Sequence, residues 1–342
     1  MGWGSPALYA ALRLIHARLF RCHPTGLPVY SGVVSVKARC CLLLVVLLVV
    51  LLGCDTVKLA ANASAELFTR AQPAIEQYWD YETAGKAVPA GILQLEGVLR
   101  IVPDNEQILM FTIGSYLGYG VGWIEDRLEE ADAVDDFEEV LHLRSRARLM
   151  YTRAWDLAKH MLRLRADGFD QAAAGGVDTL SAWLEKNFRE QSDAEALLFA
   201  AQAWAARIIF NMHDIDIVAD FPLAKVVLER SVELDPSHYF MQGKMLLAVV
   251  ASQQFPPEME RSKALFDEVL AETERRSLVV QVSMARYYAV ALGDYALFKK
   301  LLDEVVAAGD VLPEARLLNV IARRRAQRYL RLAHLFFSEV EG

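Results

Sequence analysis

The sequence predicts an all-α protein, an α-solenoid of degenerate helical hairpins. Three observations carry this. Apolar residues recur at helical spacing through nearly the whole chain beyond residue 64. No run of alternating apolar and polar residues reads as a strand. Proline and glycine punctuate the chain so that helices of roughly 13–25 residues alternate with short turns, the pattern of antiparallel hairpins.

The first 53 residues read differently from the rest. Residues 1–35 carry Pro24, Pro28 and a basic stretch, and read as an extension ahead of the true start, with initiation expected near Val33 or Val36. Residues 36–53 follow the order of a signal peptide: Lys37 and Arg39, then 13 apolar residues from Cys40 to Leu52, then Gly53. That run is too short to cross about 30 Å of hydrocarbon comfortably. Leu51-Leu52-Gly53-Cys54 matches the lipobox of bacterial lipoproteins. A small residue at 53 lets the peptidase reach the bond, and the Cys54 sulfur carries the diacylglycerol. Several acyl chains, at about 0.8 kcal/mol per buried CH₂, anchor durably. An uncleaved anchor helix with a chance Gly-Cys is the competing reading. The expected location is the cell envelope, periplasmic face, with the lipid as the membrane contact and residues 54–64 as a lipidated linker. Cysteine usage agrees. The four cysteines are Cys22, Cys40, Cys41 and Cys54, so nothing after position 54 can form a disulfide, act as a thiol nucleophile or bind zinc through sulfur.

Residues 65–340 form the expected helical-repeat domain. Breaks fall at Val88-Pro89, Pro103-Asp104, Asp167-Gly168, Gly175-Gly176, Phe221-Pro222, Asp235-Pro236, Pro256-Pro257, Gly293-Asp294 and Leu312-Pro313. A proline in a first helical turn loses no hydrogen bond, so these prolines predict helix starts. The segments from Pro89 and from Pro222 align at an offset of 133, with Leu95 over Leu228 and Glu96 over Glu229. Ser231–Pro236 resembles the end of a tetratricopeptide repeat, and Ala285–Tyr295 resembles its helix-turn-helix corner. There Gly293 suits the positive φ that closes a helix, and Asp294 suits the next cap. Degenerate tetratricopeptide-like units bury their faces against neighbours and leave a groove or tunnel for a ligand or partner.

Charge narrows the function. Of 36 bases, five precede Cys54, which leaves 31 against 44 acids and a net charge of −13. A body that acidic excludes nucleic acid as a natural partner, because that affinity rests on neutralising phosphates. Nine acids fall between Glu125 and Glu139, and Arg323, Arg324, Arg325, Arg328 and Arg331 cluster near the end. The acids read as a solvated connection or a docking face. The arginines read as dipole partners of a helix end. Contact between these patches on neighbouring copies is the expected oligomer interface, with Arg324 and Arg328 as its residues. His213, Asp214, Asp216 and Asp220 read as a polar turn before Phe221-Pro222, with a metal or proton relay as the weaker alternative. No catalytic residues, cofactor or metal are expected, and the chain reads as a binding protein, not an enzyme.

Candidate ligand residues are aromatic. Gly114, Gly118, Gly120 and Gly122 sit in one helical stretch at about 1 kcal/mol each relative to alanine. Either they allow close helix packing, or the thin helix lines a tunnel with Tyr116, Tyr119 and Trp123. Trp155, Trp183 and Trp204 lie on separate helices and read as core or as cavity walls. Of these, Trp155 and Trp204 join the ligand set.

Particular stretches carry a family resemblance: Arg146–Ala154, Ala203-Trp204-Ala205-Ala206, Val232–Asp235, Phe298–Leu302 and Leu317–Ala326. Together with the lipobox, over roughly residues 54–335, the chain resembles the T-component (TatT) family of TRAP transporters, the tripartite ATP-independent periplasmic uptake systems. The resemblance implies a periplasmic lipoprotein that partners the solute-binding P-component. It also implies a homo-oligomer, a trimer, with a tunnel through each subunit for a hydrophobic ligand. It brings no catalytic residues. A helical-repeat lipoprotein scaffold for envelope assembly is the alternative function.

Overall fold

The computed structural model describes residues 56–337. The leader, Gly53 and Cys54 lie outside that range. The described residues form helices and turns, with no strand among them. The chain is all-α, consistent with a helical solenoid.

Side-chain caps set where many helices begin. Helix α1 (Thr56–Glu76) leads into α2 (Tyr81–Leu99), whose N-cap Asp80 accepts from the Glu82 and Thr83 amides at 2.9 and 3.1 Å. Asp80 therefore starts α2 eight residues before the expected Pro89, which sits inside the helix. A proline ring there crowds the carbonyl four residues back. The residue at that place is Gly85. The 133-residue offset thus pairs a mid-helix proline with Pro222, which does lie in a first turn.

Asn105 caps α3 (Glu106–Tyr119), which runs through a π turn (Gly120–Ile124) into α4 (Glu125–Asp132). Asp136 caps the long α5 (Phe137–Arg165). Gly168, at φ 87°, precedes α6 (Phe169–Ala174). Next come α7 (Val177–Asn187), α8 (Ala194–Ile209), α9 (Ile215–Val218), α10 (Phe221–Leu234), α11 (His238–Gln253) and α12 (Met259–Glu272). Helix α13 (Leu278–Ser283) enters a second π turn (Met284–Ala289) and ends in α14 (Val290–Leu292). Gly293, at φ 69°, closes that helix, and Asp294 caps α15 (Tyr295–Ala307) by accepting from Leu297 N at 2.9 Å. Helix α16 (Arg316–Arg331) follows.

Each helix packs mainly on near neighbours: α2 on α3, α3 on α5, α5 on α8, α8 on α10, α10 on α11 and α11 on α12. Two apolar cores result. One runs from Ala65 to Leu247, and the other from Met241 to Phe337, so α11 contributes to both. Helix α16 belongs to the second core yet also meets α1 and α2. Its Leu317 packs with Trp123 and Ala84, flanked by Tyr81 and Ile321. Arg316 donates to the Gln77 carbonyl at 2.9 Å. The last helix of the array thereby returns to the first ones. No described helix is long and apolar enough to cross a membrane.

Candidate functional site

Of the five aromatic residues expected to hold a ligand, four come together in two separate pairs. Helix α5 packs on α8, and the Trp155 and Trp204 rings stack with centroids 4.2 Å apart. Phe169 meets both edge-on. These rings join Lys159, Asp170, Arg207 and Asp220 around a cavity of about 270 Å³. The Trp204 indole N–H donates to Asp220 at 3.1 Å. Asp214 caps α9 by accepting from Asp216 N and Ile217 N, so the polar turn before Phe221 is a local capping structure. Among the described residues no group of His, Cys, Asp and Glu is placed to hold a metal.

Tyr119 and Trp123 form a second cluster. Trp123 stacks between Tyr119 at 5.8 Å and Tyr81 at 5.2 Å, and its N–H donates to the Tyr81 carbonyl. A Cβ at Gly85 would collide with the Nε1–Cδ1 edge of Trp123, so glycine admits the indole against α2. Tyr116 is elsewhere again. Its hydroxyl donates to Glu96, which also takes both arms of Arg153 at 2.7 Å. Burial and that carboxylate push the Tyr116 phenol up to about 12, while Arg153 holds Glu96 below the usual carboxylate range. No one cavity gathers all five residues.

Arg324 and Arg328 meet the acidic stretch, but within one chain. Arg328, 1% exposed, pairs with Asp126 and Glu129. Arg324 donates to Asp126 at 2.7 Å and Glu130 at 3.0 Å, and lies over the Tyr81 ring. Tyr81 and Tyr329 donate to Asp126 and Glu129. Burial alone would raise the Asp126 pKa, but Arg328 and Arg324 together hold it below the ordinary aspartate value. The π turn adds to this seam. Such a turn leaves carbonyls without their usual helical partners. Here Val121 O accepts from Arg325 at 2.6 Å, and Gly122 O accepts from the Tyr81 hydroxyl at 2.9 Å. Within one chain, then, the acidic and basic patches pair across an internal seam.

A cavity of about 680 Å³ lies where α1 ends, α11 begins, α12 ends and α16 is approached. Tyr239, Phe240, Met241 and Leu312 supply its apolar wall, and Glu76, Glu268, Glu272, Glu314, Lys244 and Arg276 its charges. Tyr239, Phe240 and Met241 have φ of 43°, 58° and 61°, and Glu274 and Arg275 beside the cavity have 51° and 60°. These are five of the six non-glycine residues with positive φ among those described. Left-handed backbone costs an L-residue roughly 1–2 kcal/mol, and such strain gathers at ligand sites.

Comparison with known proteins adds a family to this geometry. Residues 77–337 match the TRAP transporter T-component family. The chain belongs to that family. No curated protein matches it. Membership ties this T-component to TRAP transport, whose T-component is an accessory part of the transporter. The match begins just before Asp80 and ends in the last described turn, so it takes in both aromatic clusters, the ion-paired seam and nearly all of the large cavity's wall. Sequence reading singled out the T-component's tryptophans and missed Tyr239, Phe240 and Met241. The three bulky residues follow Asp235-Pro236-Ser237-His238, in the first turn, where a helix start is ordinarily polar.

Proposed function

We propose that this T-component is a lipoprotein held at the periplasmic face of the envelope by acyl chains on Cys54. There it docks the solute receptor of a TRAP-type uptake system and holds a ligand inside its helical array. Its work is binding, not turnover, and it assembles with copies of itself, as a trimer, through surfaces other than Arg324 and Arg328. The family match over residues 77–337 is the observation that carries this reading. Two others support it. The order of Lys37, Arg39, the apolar run, Gly53 and Cys54 is that of a lipoprotein leader. The cavity of about 680 Å³ has the size of small-molecule sites, roughly 300–1,000 Å³.

The test is purification from the native host followed by native mass spectrometry. The receptor of the TRAP system should co-purify in a fixed ratio with a defined number of T-component copies. A preparation that is always free of receptor would sink the docking reading. Separately, Cys54→Ser should move the protein from the membrane to the soluble fraction, or leave unprocessed precursor. Membrane partition identical to the parent would sink the lipid anchor.

A further inference from the structure

The large cavity holds an imbalance of charge that a purely apolar ligand would not use. Its wall carries Glu76, Glu268, Glu272 and Glu314 against Lys244 and Arg276. Both cations are already engaged. Lys244 pairs with Glu268, and Arg276 lies 3.8 Å from Glu314 and 3.2 Å from Glu274. Glu76 and Glu272 have no cationic partner among the described residues. Glu76 accepts from the Gln72 amide at 2.8 Å, a neutral donor that leaves its charge in place. The same cavity presents the Tyr239 and Phe240 rings, set edge-to-face at 5.5 Å, and the Met241 thioether. Aromatic faces attract a weakly hydrated cation, and carboxylates without a counter-charge pull the same way. With four carboxylates against two cations, the wall is net negative and favours a cation over an anion.

We propose that this cavity takes an amphiphilic organic cation, with an ammonium head among Glu76, Glu272 and the Tyr239 and Phe240 rings and an apolar body against Met241 and Leu312. The inference rests on the reading of the T-component as a ligand holder and specifies the class of ligand. The left-handed turn at 239–241 belongs with it, because it brings three consecutive bulky side chains to one wall at a conformational cost that a site can justify.

The experiment is calorimetry on the mature protein in nanodiscs, with empty nanodiscs as the blank. Three probes share a chain length and differ in head: hexyltrimethylammonium, hexanoate and hexyl glucoside. The cation should bind about tenfold or more tighter than hexanoate, the ratio expected of one desolvated cation–aromatic contact. Glu76→Gln combined with Glu272→Gln keeps the shape of the wall. It should erase most of that preference and leave hexyl glucoside unchanged, with an unaltered thermal melt. Phe240→Ala should weaken the cation alone. Equal binding of all three probes would overturn the cationic class and leave ligand holding intact. Tighter binding of hexanoate, or a preference that survives the double substitution, would overturn it as well. Binding by none of the three would remove this cavity as an amphiphile site, while receptor docking would still stand or fall by co-purification.

Discussion

Asp126 is a buried residue on which three side chains converge. Arg328 and Arg324 both pair with it and Tyr81 donates to it, and it is fully buried. A carboxylate whose folded pKa lies below its unfolded one contributes stability at pH above the unfolded value. That contribution is lost as pH falls through the folded value. The unfolded value for aspartate is about 3.9, so the loss begins near pH 4 and continues below it. Asp126→Asn removes the charge and leaves Arg328 with Glu129 alone. Breaking a buried pair this way costs about 3–5 kcal/mol. The variant should therefore melt well below the parent at pH 7, and the gap should close as pH drops below about 4, because the parent then loses the same charge. Melting curves followed by circular dichroism from pH 7 to 2 read this directly. A gap of constant size would mean that shape, not ionisation, makes Asp126 matter.

At the scale of an element, the helix from Glu106 to Asp132 sets two glycines against each other. Gly118 is exposed, and a Cβ there would meet nothing within 4 Å. Gly120 opens the π turn, and a Cβ there would collide with the hydroxyl end of the Tyr151 ring. Gly118→Ala should therefore stabilise by up to about 1 kcal/mol, the helix-propensity gain. Gly120→Ala should destabilise by roughly 1–2 kcal/mol net, because overpacking a filled core costs about 1–3 kcal/mol. Urea midpoints of the two variants should move in opposite directions, and matching shifts would show that the ring yields freely. Such contrasts mark the limit of sequence reading. Helix starts written in local chemistry were legible: Pro222 lies in the first turn of α10, Asp294 caps α15 and Gly293 takes its positive φ. Pro89 misled because the Asp80 cap starts α2 earlier and the proline sits inside the helix that follows. Trp155 and Trp204 were legible as candidates, but only the packing of α5 on α8 stacks them. Tyr239, Phe240 and Met241 were not legible, because nothing in bulky residues announces left-handed backbone.

At the scale of the whole molecule, charge signs were legible and their pairing was not. Arg328 and Asp126 are 202 residues apart in sequence, and only the complete fold decides whether they meet within a chain or between copies. That closure alters how the molecule should unfold. In an open solenoid each unit touches only its neighbours, so loosening one end need not disturb the other. Here the two cores are joined at α11 and again where α16 meets α1, α2 and the acidic helix α4. A break at one junction leaves the other, so the parent should unfold in a single cooperative step, like a ring and unlike a ribbon. Arg328→Ala removes the buried arginine of the seam, leaves Asp126 with Arg324 and Tyr81 and Glu129 with Tyr329, and so weakens one of the two links between cores. The variant should unfold in two steps, with the second core, Met241 to Phe337, opening first because the hold of α16 on the first is weakened. Hydrogen exchange should show amides of α15 and α16 losing protection while those of α5 and α8 keep theirs. Uniform loss across both cores would mean that α11 alone is enough to couple them and that the seam serves only to close the array.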